Sequence, residues 1–513
     1  MTNRQTKRFR AFVVGLIIVA QPATSILQAE DTNTVDLIRQ LQRRIEELEH
    51  KVKILEHDKG PDESASDAKG KERIEDLDQK VKVLERNHEL DQEAAEARAK
   101  QAPTISLGEN GFLFGSANGD FALRLGGLLQ VDSRTFFDNS ENAGNSGLLL
   151  RRARIYLQGT VFRYFDFMFV PDFAPSSGPT ILDAFVNYRY SPGLQLQAGK
   201  FKVPIGLEQL VADRSILFNE RTMATDLVPN RDIGVQLHGD FLDRSVSYAA
   251  GFFNGTSDGG NSGNANYGDA AAVAGRLFLQ PLVKSSEAGL KGVGFGLAGS
   301  YESLGTPGAA GLPSTTGGSL PGYYTDGQQQ FFAYNPADKA IVVAKGEHWR
   351  LSPQAYYYFG PFGLMGEYVI SDQQVAHAGL GSMASARLQN TAWEVTGSWL
   401  ITGEDASYGG IVAPRRPFNP GNGDWGALQL VSRYMELAID PAAFPRFSDP
   451  RTSANSANAW SIGINWYLNH NLRFELSFSH TLFRGGGGAG RTAPATVTRK
   501  DENVLFTRAQ LAF

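Results

Sequence analysis

The stretch Leu472-Arg473-Phe474-Glu475-Leu476-Ser477-Phe478-Ser479 alternates strictly, with Leu472, Phe474, Leu476 and Phe478 on one side and Arg473, Glu475, Ser477 and Ser479 on the other. Period two is the signature of a β-strand. One face is wholly apolar and the other carries charge, so the strand separates hydrocarbon from water. The last ten residues, Val504-Leu505-Phe506-Thr507-Arg508-Ala509-Gln510-Leu511-Ala512-Phe513, repeat the pattern. Leu511, Ala509 and Thr507 share the outer side of the terminal Phe513, and Gln510 and Arg508 point the other way. A soluble β-sandwich alternates too, over fewer strands and with its apolar face inward.

Working outward from these strands, short alternating runs separated by Gly, Pro, Asn and Asp fill the chain from about Thr104 onward. They predict strands near 120–135, 148–161, 165–174, 181–190, 194–202, 232–241, 245–253, 270–280, 292–302, 347–359, 361–372, 390–402, 426–438, 458–468, 471–483 and 502–513. Sixteen is an even number, as bacterial barrels require. No later stretch approaches the roughly 18 to 20 apolar residues of a spanning helix. Only helices and closed barrels satisfy every backbone polar group in lipid. The expected class is therefore all-β, a 16-stranded antiparallel transmembrane barrel. Tyr356 to Tyr358, Trp393, Trp399, Trp460, Trp466 and Tyr467 fall at strand ends, where aromatic girdles lie.

The N-terminus reads differently. Arg4, Lys7, Arg8 and Arg10 precede the apolar run AFVVGLIIVA, Ala11 to Ala20, a signal peptide too short to cross a bilayer. Cleavage falls after Ala29, or alternatively after Ala23. Residues 30–103 are charged, and Ile38, Leu41, Ile45, Leu48, Val52 and Leu55 recur at intervals of three and four, the seam of a coiled coil. Beyond Lys59-Gly60-Pro61 the seam resumes at Ile74, Leu77, Val81 and Leu84, giving two helical segments. β-branched residues alternating with Leu suit two strands. Arg44-Ile45-Glu46-Glu47-Leu48-Glu49, with Arg73-Ile74-Glu75-Asp76-Leu77-Asp78 a near match, resembles a trimer-favouring pattern. A single solvated helix is the competing reading, because short helices are marginal alone. The expected partition is signal peptide 1–29, periplasmic coiled-coil stalk 30–103 and barrel 104–513.

Composition narrows the function. A net charge of −5 and 56 glycines are not the balance of a nucleic-acid binder. The absence of cysteine excludes disulfides, thiolate metal sites and cysteine catalysis. The eight histidines, His348, His470 and His480 among them, form no triad with a serine and an acid, and no acidic run has calcium-loop spacing. Neither an enzyme nor a cofactor or metal site is expected.

Several segments carry a resemblance: LLLRRARIYLQGT from Leu148, DAFVNYRY from Asp183, QAGKFKVPIGLEQL from Gln197, the stretch Asp213 to Arg221, and NRDIGVQLHGDF from Asn230. YAAGFFNG from Tyr248, YYYFGPFGLMGEYV from Tyr356, DWGALQLVSRY from Asp424 and INWYLNHNLRFELSFSH from Ile464 continue it. Together they resemble the phosphate-selective porin family of Gram-negative outer membranes. The resemblance implies a trimeric sixteen-stranded barrel that conducts small anions such as phosphate, with one loop folded into the pore. It also implies contacts with outer-membrane lipid, and a terminal Phe513 of the kind that barrel-assembly machinery reads.

Strand alternation then supplies the lumenal charge. It turns Arg124, Arg134, Arg152, Arg154, Arg189, Arg276, Arg350, Arg433, Arg473 and Arg508 inward, since a basic side chain facing lipid at mid-depth costs about 2 to 4 kcal/mol. Arginine stays charged and offers a fork of donors to oxyanions. The connection from Val203 to Arg231 is too long for a turn and is the expected constriction loop, with Lys202, Arg214, Arg221 and Arg231 as its cations. Its Glu208, Asp213, Glu220 and Asp226 nearly cancel that charge. Met168 and Val170 occupy lumenal positions where family members tend to be charged. A second reading gives the stalk a structural role, a tether reaching the cell wall.

Overall fold

The computed structural model describes residues 63–513 apart from 110, 138–143, 265–270, 305–319, 339, 380–381, 411 and 489–496, and ahead of them residues 43, 46, 47 and 50. The expected signal peptide and the six residues of the first seam block, Ile38, Leu41, Ile45, Leu48, Val52 and Leu55, lie outside the described residues. The chain divides into two units, Met1–Ala97 and Arg98–Phe513.

The first holds all but the last four residues of helix α1 (Glu63–Gln101), which runs 39 residues without a break. Ion pairs one turn apart, Lys80 to Asp76 and Lys82 to Asp78, both 2.7 Å, lie along its surface and contribute about 0.3 to 0.5 kcal/mol each. Leu77, Val81 and Leu84 of the second seam block are exposed on it. No second helix covers them among the described residues of this single chain.

In the second unit, β1 (Thr104–Gly108) and β2 (Gly111–Gly115) form a hairpin that the sequence pattern did not announce. Three glycines interrupt its alternation. β3 (Ala122–Phe136), β4 (Gly147–Val161), β5 (Phe165–Asp172), β6 (Thr180–Ser191), β7 (Leu194–Lys202), β8 (Arg231–Phe241), β9 (Val246–Phe253), β10 (Ala272–Leu279) and β11 (Val293–Leu304) follow. After a small hairpin of β12 (Tyr323–Tyr324) and β13 (Gln330–Phe332) come β14 (Ile341–Phe359), β15 (Phe362–Gly379), β16 (Ser382–Leu400), β17 (Ala427–Ala438), β18 (Ala454–Tyr467), β19 (Leu472–Gly485) and β20 (Glu502–Ala512).

Each of these strands except β12 and β13 pairs antiparallel with its neighbours in one sheet, and β20 pairs back onto β3. Sixteen strands, β3 to β11 and β14 to β20, close the barrel. β14 to β16 extend further than their alternation announced. Gly346, at φ 93°, and the register shift between Ala344 and His348 break the period there.

The burial pattern is that of a soluble protein turned inside out. Leu129, Val186, Leu237, Leu297, Leu364 and Ile462 are exposed on the outer face. Asp132, Arg473, Glu475 and Arg508 are buried inside. Water on the outside would make that arrangement costly, whereas hydrocarbon makes it favourable.

Phe513 completes the closure. Its amide and carbonyl exchange hydrogen bonds with Gly127, at 3.0 and 2.9 Å, and its ring meets Phe112 edge-on at 6.4 Å. A Cβ at Gly126 would lie 2.5 Å from the Phe513 carbonyl oxygen. Gly126→Val is expected to lower barrel stability by about 1 to 3 kcal/mol through this overpacking, measured by urea unfolding in detergent micelles.

Candidate functional site

The connection from β7 to β8, residues 203–230, folds into the lumen rather than over the surface, and the sequence shows why. Two of its buried acids, Asp213 and Glu220, meet a wall of guanidiniums. Glu220 accepts from Arg134 at 2.7 Å and from two nitrogens of Arg151 at 2.5 and 2.8 Å. Asp213 pairs closely with Arg154 and Arg221 and lies 3.6 and 3.8 Å from Arg152 and Arg231. Burial opposes the ionisation of Asp213, but Arg221, Arg152 and Arg154 outweigh it and hold the carboxyl well below the usual range. Glu220 is lowered in the same way, burial being outweighed by Arg151 and Arg152.

Arg151 escaped the alternation rule. In the β3 to β4 pairing Gln130 faces Arg152 and Val131 faces Leu150, so Arg151 is the extra residue of a β-bulge. A bulge re-aims a side chain, and two consecutive arginines reach one loop. The doublet Arg151-Arg152 inside an alternating run was the only hint.

The other expected cations are placed as follows. Arg154 also grips Asp172 at 2.7 Å, Arg231 grips Asp183 at 3.1 Å, and Arg189 pairs with Asp166 at 2.7 Å. Lys202 donates to the backbone carbonyls of Gln209 and Val211, both at 2.7 Å. Arg508 forms a two-pronged pair with Asp132, 2.7 Å for each prong, and Arg473 lies 2.5 Å from Glu475. Arg433 holds Asp326 at 2.8 Å and stacks 4.2 Å over the Phe218 ring. Arg350 holds Asp258 at 2.6 Å, and Arg276 donates to Gln354 at 2.9 Å over Phe278. Arg214 is half-buried beside His470 and Arg473, and Arg124 is exposed near the start of β3. Most of the arginines thus bind loops to the wall.

Two further segments enter the barrel. The β12–β13 hairpin lodges Asp326 against Ser461 and Ser479 at 3.0 and 2.7 Å, and Tyr324 donates its amide to Asp226 at 2.8 Å. From the opposite end, residues 401–426 bring the Tyr408 hydroxyl to the carbonyl of Leu207 at 2.6 Å. Gly410, at φ 65°, packs so close that a Cβ would lie 2.6 Å from the Ser215 carbonyl oxygen. Loop 203–230 is therefore held from both ends of the lumen.

Between the wall and these loops lies a polar cavity of 350 Å³. Arg151, Arg152, Arg154, Arg221 and Arg231 line it, with Asp172, Asp213, Glu220 and Asp226. Burial pushes the Asp226 carboxyl up to about 8, with Asp326 and Asp258 adding to the shift and the Tyr324 amide opposing it. Five guanidiniums thus face four carboxyl groups in this lining, and burial disfavours the charge on one of the four, Asp226. Arg152 Nε and Thr222 Oγ1 are buried there without a hydrogen-bond partner among the described residues.

Asp226 gives a pH prediction. Its carboxyl is raised above the unfolded value of about 3.9, so the folded chain keeps a proton that the unfolded chain has lost. Stability falls as pH rises from about 4 to about 8 and is level beyond. Asp226→Asn is expected to flatten that part of the profile while keeping the acceptor for Tyr324. Unfolding midpoints measured across the range check it.

No curated protein sequence matches the chain. Among solved structures it is similar to OmpT, an outer membrane protein of Vibrio cholerae in its trimer form, at 9% identity and TM-score 0.45, covering 77% of this chain and 99% of that one. It is similar to the outer membrane channel DcaP of Acinetobacter baumannii at 10% identity and TM-score 0.47, covering 77% and 97%. An anion-selective porin from Comamonas acidovorans matches at 12% identity and TM-score 0.44, covering 77% and 100%. The family of phosphate-selective porins O and P matches residues 123–513. That span runs from the first barrel strand to the terminal phenylalanine, and the chain belongs to the phosphate-selective porin O and P family, the porins of the bacterial outer membrane.

Proposed function

We propose that this porin is a passive channel for small anions, phosphate among them. The observation that carries the reading is the cavity lining, where five guanidiniums outnumber four carboxyl groups and two buried donors lack partners among the described residues. Rings of arginine are how a water-filled pore prefers anions. Reversal potentials across a KCl gradient test it, comparing wild type with Arg152→Ala and Arg221→Ala. Both variants are expected to lose chloride preference, and an unchanged preference in both overturns the role of this cluster. Phosphate added to the wild type is expected to reduce chloride current, and chloride current indifferent to phosphate would leave a general anion channel.

The remaining parts complete the reading. Residues 1–29 direct export, 30–103 form a periplasmic stalk that joins three barrels, and 104–513 form the barrel, whose Phe513 is read by the assembly machinery. The length of α1 supports a second role as a tether, since 39 residues of helix span about 58 Å. Deletion of residues 31–100 separates the two roles. Retained conductance with a loosened envelope is the expected result, and an intact envelope sinks the tether.

A further inference from the structure

Among the described residues of one chain, no three His, Asp or Glu side chains are placed to hold a metal ion. Three copies of α1 would supply what one cannot. Leu77, Val81 and Leu84 are 56, 48 and 67% exposed along the seam, and the charges beside that seam select what covers it. In a parallel, in-register coiled coil, each residue at position g meets the residue five further along, at position e of the neighbour. That sets Arg73 against Asp78 of the partner subunit and Lys80 against Glu85 of the partner subunit, opposite in sign both times. An antiparallel pairing would instead oppose Arg73 and Lys80 to each other, and Asp78 to Glu85. The flanks therefore fit a second copy running the same way.

The same register carries His88 to the next core position and Asp91 to the one after it. Both are exposed on α1. His88 Nε2 lies 3.0 Å from Gln92 Nε2, an exposed contact that coordination of the ring would replace. We infer that three parallel copies of α1 form a divalent transition-metal site, in which the three His88 rings converge on the axis and the Asp91 carboxylates close the layer. This rests on the trimeric stalk proposed above.

Three neutral imidazoles and an open fourth position suit Zn²⁺. Helical side chains lean toward the N-terminus, so Asp91 reaches back to the His88 layer, where a carboxylate fixes the ring by accepting its other N–H. Leu84 bounds the layer on one side and Asp91 on the other, with Asn87 and Gln92 at its flanks. No competing cation lies in the core there. A histidine in an apolar seam costs association energy and fixes register, and coordination offsets that cost.

Calorimetric titration of the detergent-solubilised full chain with Zn²⁺ tests the site. One Zn²⁺ bound per three chains is expected in the wild type and is expected to be lost in His88→Leu, which keeps the seam apolar. A different stoichiometry, or the same binding in His88→Leu, overturns it. Val81→Cys tests the stalk separately, because the chain has no other cysteine and oxidation can link copies only through the seam. Cross-linking without Zn²⁺ binding removes the metal site and keeps the stalk. Absence of cross-linking removes the association and the metal site with it.

Discussion

Arg508→Met is expected to lower the barrel's unfolding free energy by about 3 to 5 kcal/mol, the cost of leaving a buried carboxylate without its partner. Arg508 and Asp132 are both 0% exposed and meet through two hydrogen bonds. A third bond from Arg508, 2.7 Å to the Asn219 carbonyl, ties the strand to the inward loop. Asp132 sits on the first barrel strand and Arg508 on the last. The pair therefore spans the seam where the barrel closes, and its loss acts on closure as well as on the loop. The double variant Arg508→Met with Asp132→Leu is expected to recover most of the loss, since removing both charges removes the desolvation cost with them. Urea unfolding in micelles, followed by tryptophan fluorescence, measures both. A double variant no better than the single one would show that hydrogen bonds to the loop, not the buried charge, set the cost.

Asp213→Asn is expected to raise anion preference by about fourfold, because one unit of charge removed about 5 Å from a passing ion is worth about 0.8 kcal/mol in water. Asp213 faces Arg152, Arg154, Arg221 and Arg231 together, and among the described residues no other single carboxylate restrains as many of the lumenal guanidiniums. The amide keeps the shape and one acceptor. Reversal potential reports the shift, and a salt-independent result would exclude its electrostatic origin, since screening shortens such effects. Arg221 also donates to the Val211 carbonyl at 2.7 Å, which keeps the loop folded when the ion pair is lost. A conductance change without a selectivity change would instead identify Asp213 as an anchor of the loop alone.

The barrel was legible because its strands obey a period of two. Leu472 to Ser479 alternate between an outer and a buried inner face as the period required, and Thr507, Ala509 and Leu511 are exposed on the outer side of the closing strand. The site was legible only in part. Arg152, Arg154 and Arg508 are buried, but alternation says nothing of what meets them. Arg151 broke the rule through a bulge, a two-against-one pairing that depends on the partner strand. Asp213 and Glu220 read as charges that cancelled the loop's own cations, whereas they are the residues through which the loop grips the wall. The β12–β13 hairpin and residues 401–426 have no periodic signal, because they pack against lumenal side chains from distant strands.

By itself, the sequence determined the class of fold, the strand count of the barrel and its apolar outer face, since each follows from a local period and from the cost of unpaired backbone in hydrocarbon. Tertiary structure alone decided which charges remain available to an ion. Arg508 and Asp132 are separated by 376 positions, and Arg433 and Glu220 by 213. Burial between such distant residues is settled only when the barrel has closed around its loops.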